Sequence, residues 1–366
     1  MPNIFVEVPA VRGRMGTNTY YTANFPLGMV VKLFQFDPAA MPALPVEERH
    51  QRALKSARVP EIARYVIEHD DYIFSSITVS VNAEDLRFTS SSLDPNVGML
   101  RVPLETEWII NDGQHRVAGI HRALTERADL KDDTLSVVIL CDLDLERCQQ
   151  IFSDLNRTVQ KTSASLDIAF DRRSPMNRLT NAVVDRALLF KGKTDKERVS
   201  LSIRSKPFST LSAVRAANIQ LIGLLKDENI SEADLLRHVD RAVDFWDHVT
   251  DIVTPWRDIA DGTLDPALAR EDFISSYAII LWAVASAGRT AQESNPDWRA
   301  SMRQLAQLDW LKGCPIWQGI CMSGDDVVTR QPTRTATADL LRWKMGIGPK
   351  PEPVLWVDQD DETIEV

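Results

Sequence analysis

The sequence predicts an α/β domain with a mixed sheet, followed by a mainly α-helical domain. Strand-like and helix-like stretches alternate in the first 170 residues, whereas helical spacing dominates beyond them. Eight of the nine tryptophans lie in the second part, which is typical of a helix-packed core with large aromatic anchors. The chain of 366 residues also exceeds the roughly 250 residues that one core usually reaches. We therefore expect two domains, 1–170 and 171–355, and an acidic tail over 356–366.

The first domain has the predicted order β-α-β-β-α-β. Its strand-like runs are rich in β-branched and aromatic residues, and its helical stretches carry apolar residues three and four positions apart. The predicted elements are strands over 29–36 and 72–81, helices over 47–57 and 60–69, a strand over 107–110, a helix over 114–128 and a strand over 135–144. This order is typical of a mixed sheet covered by helices.

The second domain is predicted to be helical because its apolar residues recur at the same helical spacing. The predicted helices cover 176–190, 210–225, 233–249, 266–285 and 335–344. No comparable strand signal occurs in this part of the sequence.

Composition and charge limit the class of protein. No apolar run reaches the roughly 18 residues of a membrane span, and no signal peptide is visible, so we expect a cytoplasmic protein without a membrane partner. The net charge of −10 argues against nucleic-acid binding by the whole surface. Residues 172–215, the basic segment, nevertheless carry eleven Lys or Arg against three acids, a net +8. This segment predicts a localised polyanion site, and the alternative is a solvated face paired with acidic neighbours in the fold.

The most informative motif is Asp112-Gly113-Gln114-His115-Arg116, at the expected turn from a strand to a helix. Backbone N–H groups at the start of a helix attract anions, and glycine allows a close approach of the backbone. Arg116 can donate to phosphate, His115 can donate or carry a proton, and Asp112 can serve as a cap, a metal ligand or a base. The alternative is an N-cap followed by surface polar residues.

A second polar cluster follows the strand over 135–144. Asn156, Arg157, Lys161 and Ser163 are expected on one loop, where their donors could complete a phosphate site that begins at Gly113. The alternative for Asn156 is a helix C-cap, and for Ser163 a helix N-cap.

Mixed basic and hydroxyl residues in the basic segment suit contacts with DNA phosphates. The candidate DNA-binding residues are Arg172, Arg173, Lys191, Lys193, Arg204, Ser205 and Lys206. Gly192-Lys193-Thr194 resembles the end of a P-loop, but Ala187 replaces the first glycine, so we reject a P-loop. The four cysteines match no common zinc spacing.

Several longer stretches occur in the order typical of one family and span nearly the whole chain. They are HQRALKSARVPEIARYVIEH, NDGQHRVAGI, QQIFSDLNRTVQKTSASL, LSIRSKPFSTLSAV, LDWLKGCPIWQGI and TADLLRWKMG. On these stretches the chain resembles the DndB family of DNA sulfur modification proteins, within the wider DGQHR-domain group. It departs from the family at Asp171-Arg172-Arg173-Ser174, where an Asp-His-Arg-Asp-like run is expected.

The resemblance implies a place in the machinery, or its regulation, that replaces a nonbridging phosphate oxygen of DNA with sulfur. Members of the family resemble transcriptional regulators of the modification genes. More distantly, the DGQHR motif is similar to a phosphate-binding motif of the ParB and sulfiredoxin superfamily, whose members bind CTP or ATP. By this similarity, Gly113, His115 and Arg116 would hold nucleotide phosphates.

The leading hypothesis is a nucleotide-responsive, DNA-binding transcriptional regulator of a DNA phosphorothioation system. The expected ligands are ATP or CTP with Mg²⁺, and the expected partners are DNA, other DNA sulfur modification proteins and a second copy of the chain. If the nucleotide is hydrolysed, Arg116 would stabilise the developing charge, with Asp112 and His115 beside it, and Asp112 or Asp154 would hold Mg²⁺. The alternatives are an NTPase or DNA-processing subunit of the machinery, and a ParB-like DNA-binding module whose motif holds the DNA backbone or only stabilises the fold.

Overall fold

The computed structural model describes residues 5–34, 58–106, 108–141, 145–157, 162–226 and 229–354. Within helix 145–157 the side chains of Asn156 and Arg157 lie outside the described part. The chain divides into two compact units, residues 1–160 (the N-terminal unit) and 161–366 (the C-terminal unit).

The N-terminal unit is built on a mixed sheet of seven strands. The strands are β1 (Phe5–Met15), β2 (Asn18–Pro26), β3 (Ile77–Ser80), β4 (Arg87–Ser90), β5 (Val97–Pro103), β6 (Ile109–Asp112) and β7 (Thr134–Leu140). Their order in the sheet is β4-β5-β1-β2-β7-β3-β6. Strands β3 and β7 run parallel, and the other neighbours run antiparallel. The predicted mixed sheet is therefore confirmed.

Four α-helices accompany this sheet among the described residues: α1 (Leu27–Leu33), α2 (Arg58–Glu68), α3 (Gln114–Glu126) and α4 (Leu145–Arg157). Phe25, Val79 and Ile139 are fully buried on one face of the sheet, where they pack in one cluster with Val30 of α1 and Ile120 of α3. Burial of this face supplies the hydrophobic stabilisation of the unit.

The predicted strand over 29–36 is wrong, because residues 29–33 belong to helix α1 and residues 35–36 lie outside the described residues. Leu27, Val30 and Leu33 are its buried residues, and their spacing is helical. The β-branched pair Val30-Val31 favoured a strand locally, but burial of one helical face overrides that weak preference. The predicted strand over 72–81 shortens to β3, and the predicted helix over 47–57 lies outside the described residues.

The hairpin of β1 and β2 was missed in the sequence. Val8 and Ala10 of β1 are buried while Glu7 and Pro9 are exposed, which is the alternation of a half-buried strand. Gly16, with a φ of 59°, lies between the two strands. The small and charged residues of β1 weaken the apolar signal that usually reveals a strand.

The C-terminal unit is mainly helical, as predicted. Its helices are α5 (Ala164–Phe170), α6 (Pro175–Arg186), α7 (Leu211–Ile222), α8 (Glu232–Ile252), α9 (Thr254–Asp261), α10 (Pro266–Asp272), α11 (Ala278–Ser294), α12 (Trp298–Arg303) and α13 (Gln331–Lys344). Two small sheets pair β8 (Thr194–Asp195) with β9 (Ser209–Thr210), and β10 (Met322–Ser323) with β11 (Asp326–Val327). The single helix predicted over 266–285 is divided into α10 and α11 by a 3₁₀ turn, Ile274–Ser276.

Tryptophans dominate the core of this unit, as their distribution suggested. Trp246, Trp256 and Trp317 are fully buried. The ring centroids of Trp246 and Trp256 lie 6.2 Å apart, and those of Trp310 and Trp317 lie 5.5 Å apart. No described helix of the chain has the length and apolar character that a membrane crossing requires.

Helices α8 and α11 approach closely at Gly288, so a methyl group there should destabilise the C-terminal unit. A Cβ at Gly288 would lie 2.2 Å from a ring carbon of the buried Phe245. We expect Gly288→Ala to lower the free energy of unfolding by about 1 to 3 kcal/mol through overpacking. Urea unfolding followed by tryptophan fluorescence would measure this loss. Gly313→Ala is the matched control, since a Cβ at Gly313 meets nothing within 4 Å. Equal unfolding midpoints for the two variants would contradict the close approach.

Candidate functional site

The pentapeptide 112–116 lies at a strand-to-helix turn, as predicted. Strand β6 ends at Asp112, and helix α3 begins at Gln114. Between them Gly113 has a φ of 109°, a left-handed conformation that side chains disfavour. A Cβ at this position would also lie 2.4 Å from the Cγ2 atom of Ile77. The turn therefore requires glycine for two independent reasons.

Arg116 connects the motif to the segment that precedes β3. Its Nη1 donates to the carbonyl oxygens of Ser75 at 2.6 Å and Ser76 at 2.8 Å, and Nη1 also contacts the Ser75 hydroxyl at 2.5 Å. Its Nη2 donates to a carboxylate oxygen of Asp112. The side chain is only 16% exposed. Within the protein, Arg116 and Asp112 thus hold the turn together.

The remaining residues of the motif differ in accessibility. Gln114 is buried, and its Nε2 donates to the carbonyl oxygen of Ile110 at 3.2 Å, so its side chain braces the turn. His115 is partly buried. No side chain caps helix α3, because glycine holds the N-cap position. Its N-cap residue therefore offers no side-chain acceptor to the first turn, unlike the polar residues that usually cap a helix.

One polar residue beside the motif was missed in the sequence. Asn111 on β6 is fully buried and donates from Nδ2 to the Ser80 hydroxyl at 2.7 Å. Its side-chain carbonyl oxygen, Oδ1, has no hydrogen-bond partner among the described residues. In the sequence Asn111 follows two isoleucines of a strand, and nothing there distinguishes it from a surface residue.

The second polar cluster is divided between the two units. Asn156 and Arg157 lie in the last turn of α4, and Lys161 lies outside the described residues. Ser163 caps α5 in the C-terminal unit, where its Oγ accepts from the N–H of Leu166 at 3.1 Å and donates to the Glu197 carbonyl oxygen. The N-cap alternative for Ser163 is therefore confirmed. Convergence of these residues on Gly113 stays a prediction.

The two predicted magnesium ligands, Asp112 and Asp154, each accept a hydrogen bond from another side chain. Asp154 is exposed on α4 and accepts from Gln150 at 2.7 Å, while Asp112 accepts from Arg116. Across the described parts of both units, no three His, Cys, Asp or Glu side chains cluster as metal ligands would. A role of Asp112 or Asp154 in binding Mg²⁺ stays a prediction.

Four of the eleven cations in the basic segment form ion pairs with acidic side chains. Arg178 pairs with Glu232, and Arg186 pairs with Asp240 at 2.6 Å. Two shorter-range ion pairs add to these: Lys196 to Asp185 at 3.0 Å and Arg198 to Asp195 at 3.8 Å. Arg215 is half-buried, donates to Asn177 at 2.6 Å, and has a pKa lowered by burial. The alternative of a solvated face paired with acidic neighbours thus accounts for the four ion-paired cations.

Other members of the basic segment have side chains that remain available for contact with a ligand. In the part of the C-terminal unit that the structure describes, Arg172, Lys191, Arg204 and Lys206 are exposed, and their side chains make no hydrogen bond or ion pair. Arg173 is partly buried. The other two candidates are engaged: Lys193 donates to the Ala260 carbonyl oxygen at 3.2 Å, and the buried Ser205 lies 3.0 Å from the Ser202 hydroxyl.

The loop that carries Arg204 and Lys206, residues 201–208, is held by a buried arginine that the sequence did not reveal. Arg270 on α10 is 3% exposed, and its guanidinium donates to the carbonyl oxygens of Ile203 at 3.1 Å, Ser205 at 2.7 Å and Pro207. No carboxylate pairs with Arg270 among the described residues. Burial lowers the pKa of its guanidinium, and Tyr277 and Asp265 partly offset that effect. Among the described residues, the backbone carbonyl oxygens of the loop are therefore the groups that accept hydrogen bonds from this buried cation.

Comparison with known proteins shows the family to which the chain belongs. A family model described as DndB, DNA-sulfur modification-associated, matches residues 8–348. No curated protein and no solved structure matches the chain, so the similarity to the ParB and sulfiredoxin superfamily stays a prediction. The match covers most of both units and agrees with the motifs found in the sequence. The chain belongs to the DndB family of DNA-sulfur modification-associated proteins.

Proposed function

We propose that the chain is a DNA-binding transcriptional regulator of a DNA sulfur modification system, and that it contacts the DNA backbone through the C-terminal unit. The observation that carries this proposal is the set of exposed, unpaired basic side chains Arg172, Lys191, Arg204 and Lys206 on a chain with a net charge of −10. Basic residues that face solvent without acidic partners are the usual contacts to phosphate, whereas an acidic remainder disfavours binding elsewhere.

The loop 201–208 is the best-supported part of this surface. Because Arg270 holds three of its carbonyl oxygens, the backbone that presents Arg204 and Lys206 is fixed before any ligand arrives. A preformed loop loses less conformational entropy on binding, so each phosphate contact contributes more to affinity. A regulator of palindromic sites would act as a dimer, and other DNA sulfur modification proteins are the expected protein partners.

A nucleotide is proposed as the effector, bound at the first turn of α3. The start of this helix, with glycine at the N-cap position, suits a phosphate, since helix N-termini favour anions. When the nucleotide binds, Arg116 would give up one of its hydrogen bonds within the protein and donate to a phosphate oxygen instead. Such an exchange would loosen the bonds to Ser75 and Ser76, which gives a physical route from nucleotide binding to a change in structure. ATP or CTP, with Mg²⁺, is the proposed ligand.

The DNA contacts predict a specific salt dependence. We expect the double substitution Arg204→Ala and Lys206→Ala to weaken DNA binding about tenfold or more, and to make the slope of log affinity against log salt shallower by about 2. Mobility shifts over a range of salt concentrations measure both quantities. The matched control is Arg178→Ala with Arg186→Ala, which removes the same charge from side chains already paired with acids. Equal losses in the two double variants would show that only net charge matters and would reject the loop as a contact.

The proposed nucleotide site predicts that ATP or CTP binds saturably and that Arg116→Ala abolishes binding in isothermal titration. Arg122→Ala, on an exposed position of the same helix, is the control and should bind like the natural chain. Circular dichroism would establish that the Arg116 variant remains folded. Unchanged binding by a folded Arg116→Ala variant would sink the nucleotide site. Steady phosphate release that is lost in Asp112→Ala would instead favour the alternative function, an NTPase subunit of the modification machinery.

A further inference from the structure

A cavity of about 320 Å³ opens beside the loop 201–208 in the C-terminal unit. Lys193 and Lys206 line it together with Pro207, Leu264 and Pro266, and Asp265 also contributes to the lining. Its volume is at the lower end for small-ligand sites, which is enough for one backbone linkage of DNA but not for a folded partner. The cavity lining thus combines two lysines with apolar residues.

The walls of this cavity are tied together by hydrogen bonds. The N–H of Phe208 donates to the carbonyl oxygen of Lys193 at 2.6 Å, which fixes residue 193 next to the loop. Arg270 joins the loop to α10, and the N–H of Leu264 donates to Asp258 at 2.9 Å. The Lys193 ammonium donates to Ala260 at 3.2 Å, which leaves it two further hydrogen atoms. The site is therefore preformed.

The charges favour one anionic group. Lys193 and Lys206 line the cavity, and the buried cation of Arg270 donates to the loop backbone and has no carboxylate partner among the described residues. Asp265 opposes them, but its carboxylate caps α10 by accepting from the N–H of Ala267 at 2.7 Å. A helix cap satisfies part of the hydrogen-bonding capacity of this carboxylate, so the positive groups outweigh it.

We propose that this cavity binds a phosphorothioate linkage of DNA, the product of the modification. A phosphorothioate keeps the negative charge of the phosphate, which the two lysines can pair with. Its sulfur is larger and more polarisable than oxygen and accepts hydrogen bonds weakly, so contact with Pro207, Leu264 and Pro266 costs it less desolvation than it costs an oxygen. An ordinary phosphate site would surround both nonbridging oxygen atoms with hydrogen-bond donors. In this cavity, apolar residues form part of the lining instead.

The inference rests on the proposed DNA-binding function and adds a preference to it. A regulator that distinguishes modified from unmodified DNA could adjust the modification genes to the amount of product. The same contacts at Lys206 would serve both kinds of DNA, and the apolar wall alone would supply the discrimination.

The test compares two short duplexes of identical sequence, one with phosphorothioate at every linkage of one strand and one with phosphate throughout. We expect the natural chain to bind the phosphorothioate duplex about fivefold more tightly in fluorescence anisotropy. Leu264→Asn, which makes the wall polar at nearly constant volume, should remove this preference without weakening binding to the phosphate duplex. Leu268→Asn is the matched control, since Leu268 is 58% exposed on α10 and does not line the cavity, and it should keep the preference.

The outcomes separate the two proposals. Equal affinity of the natural chain for both duplexes would overturn the phosphorothioate site and leave DNA binding intact. A preference that survives in Leu264→Asn would overturn the cavity as its source, because nonspecific attraction to sulfur would explain it. A preference lost equally in Leu268→Asn would overturn it too, because Leu268 does not line the cavity. Failure to bind either duplex would overturn the proposed function itself, and the inference with it.

Discussion

In each unit, a guanidinium that donates to the backbone carbonyl oxygens of a single segment is the interaction on which the candidate site depends. Arg116 holds residues 75–76 in the N-terminal unit, and Arg270 holds residues 203–207 in the C-terminal unit. The planar fork of donors suits this role, because several carbonyl oxygens can be bound at once. Removing a buried cation from water is costly unless its donors are satisfied, so these segments have little freedom to adopt another conformation.

The two guanidiniums differ in what they leave exposed. Arg116 is itself the expected ligand-binding group, and it is already paired with Asp112. Any phosphate must therefore compete with acceptors in the protein, which makes the turn a natural point for a ligand to alter the fold. Arg270, by contrast, is buried and presents two other cations, Arg204 and Lys206, whose side chains remain exposed. Under the proposed function, the N-terminal turn would respond to a ligand, and the C-terminal loop would bind a polyanion without rearrangement.

Much of the architecture could be predicted from local patterns. The strand-to-helix turn at Gly113, the mixed sheet and the helical second part all follow from periodicity and turn chemistry, which act over a few residues. The predictions failed where tertiary burial outweighed those patterns. Helix α1 has the composition of a strand, and strand β1 lacks the apolar residues of one, yet packing against the sheet decides both. The candidate DNA surface shows the same limit of local patterns. The charges in the sequence do not indicate which cations pair with acidic neighbours in the fold.

By itself, the sequence determined the family, the order of the main elements and the place of the motif 112–116, since these depend on residue identity and short-range spacing. Only the tertiary structure decided which side chains are available. It paired Arg178 and Arg186 with acids more than 50 positions away, gave Arg204 and Lys206 no ion pair with any described residue, and buried Arg270 against their loop. Such partners are brought together by folding across long stretches of chain, and no local pattern records them.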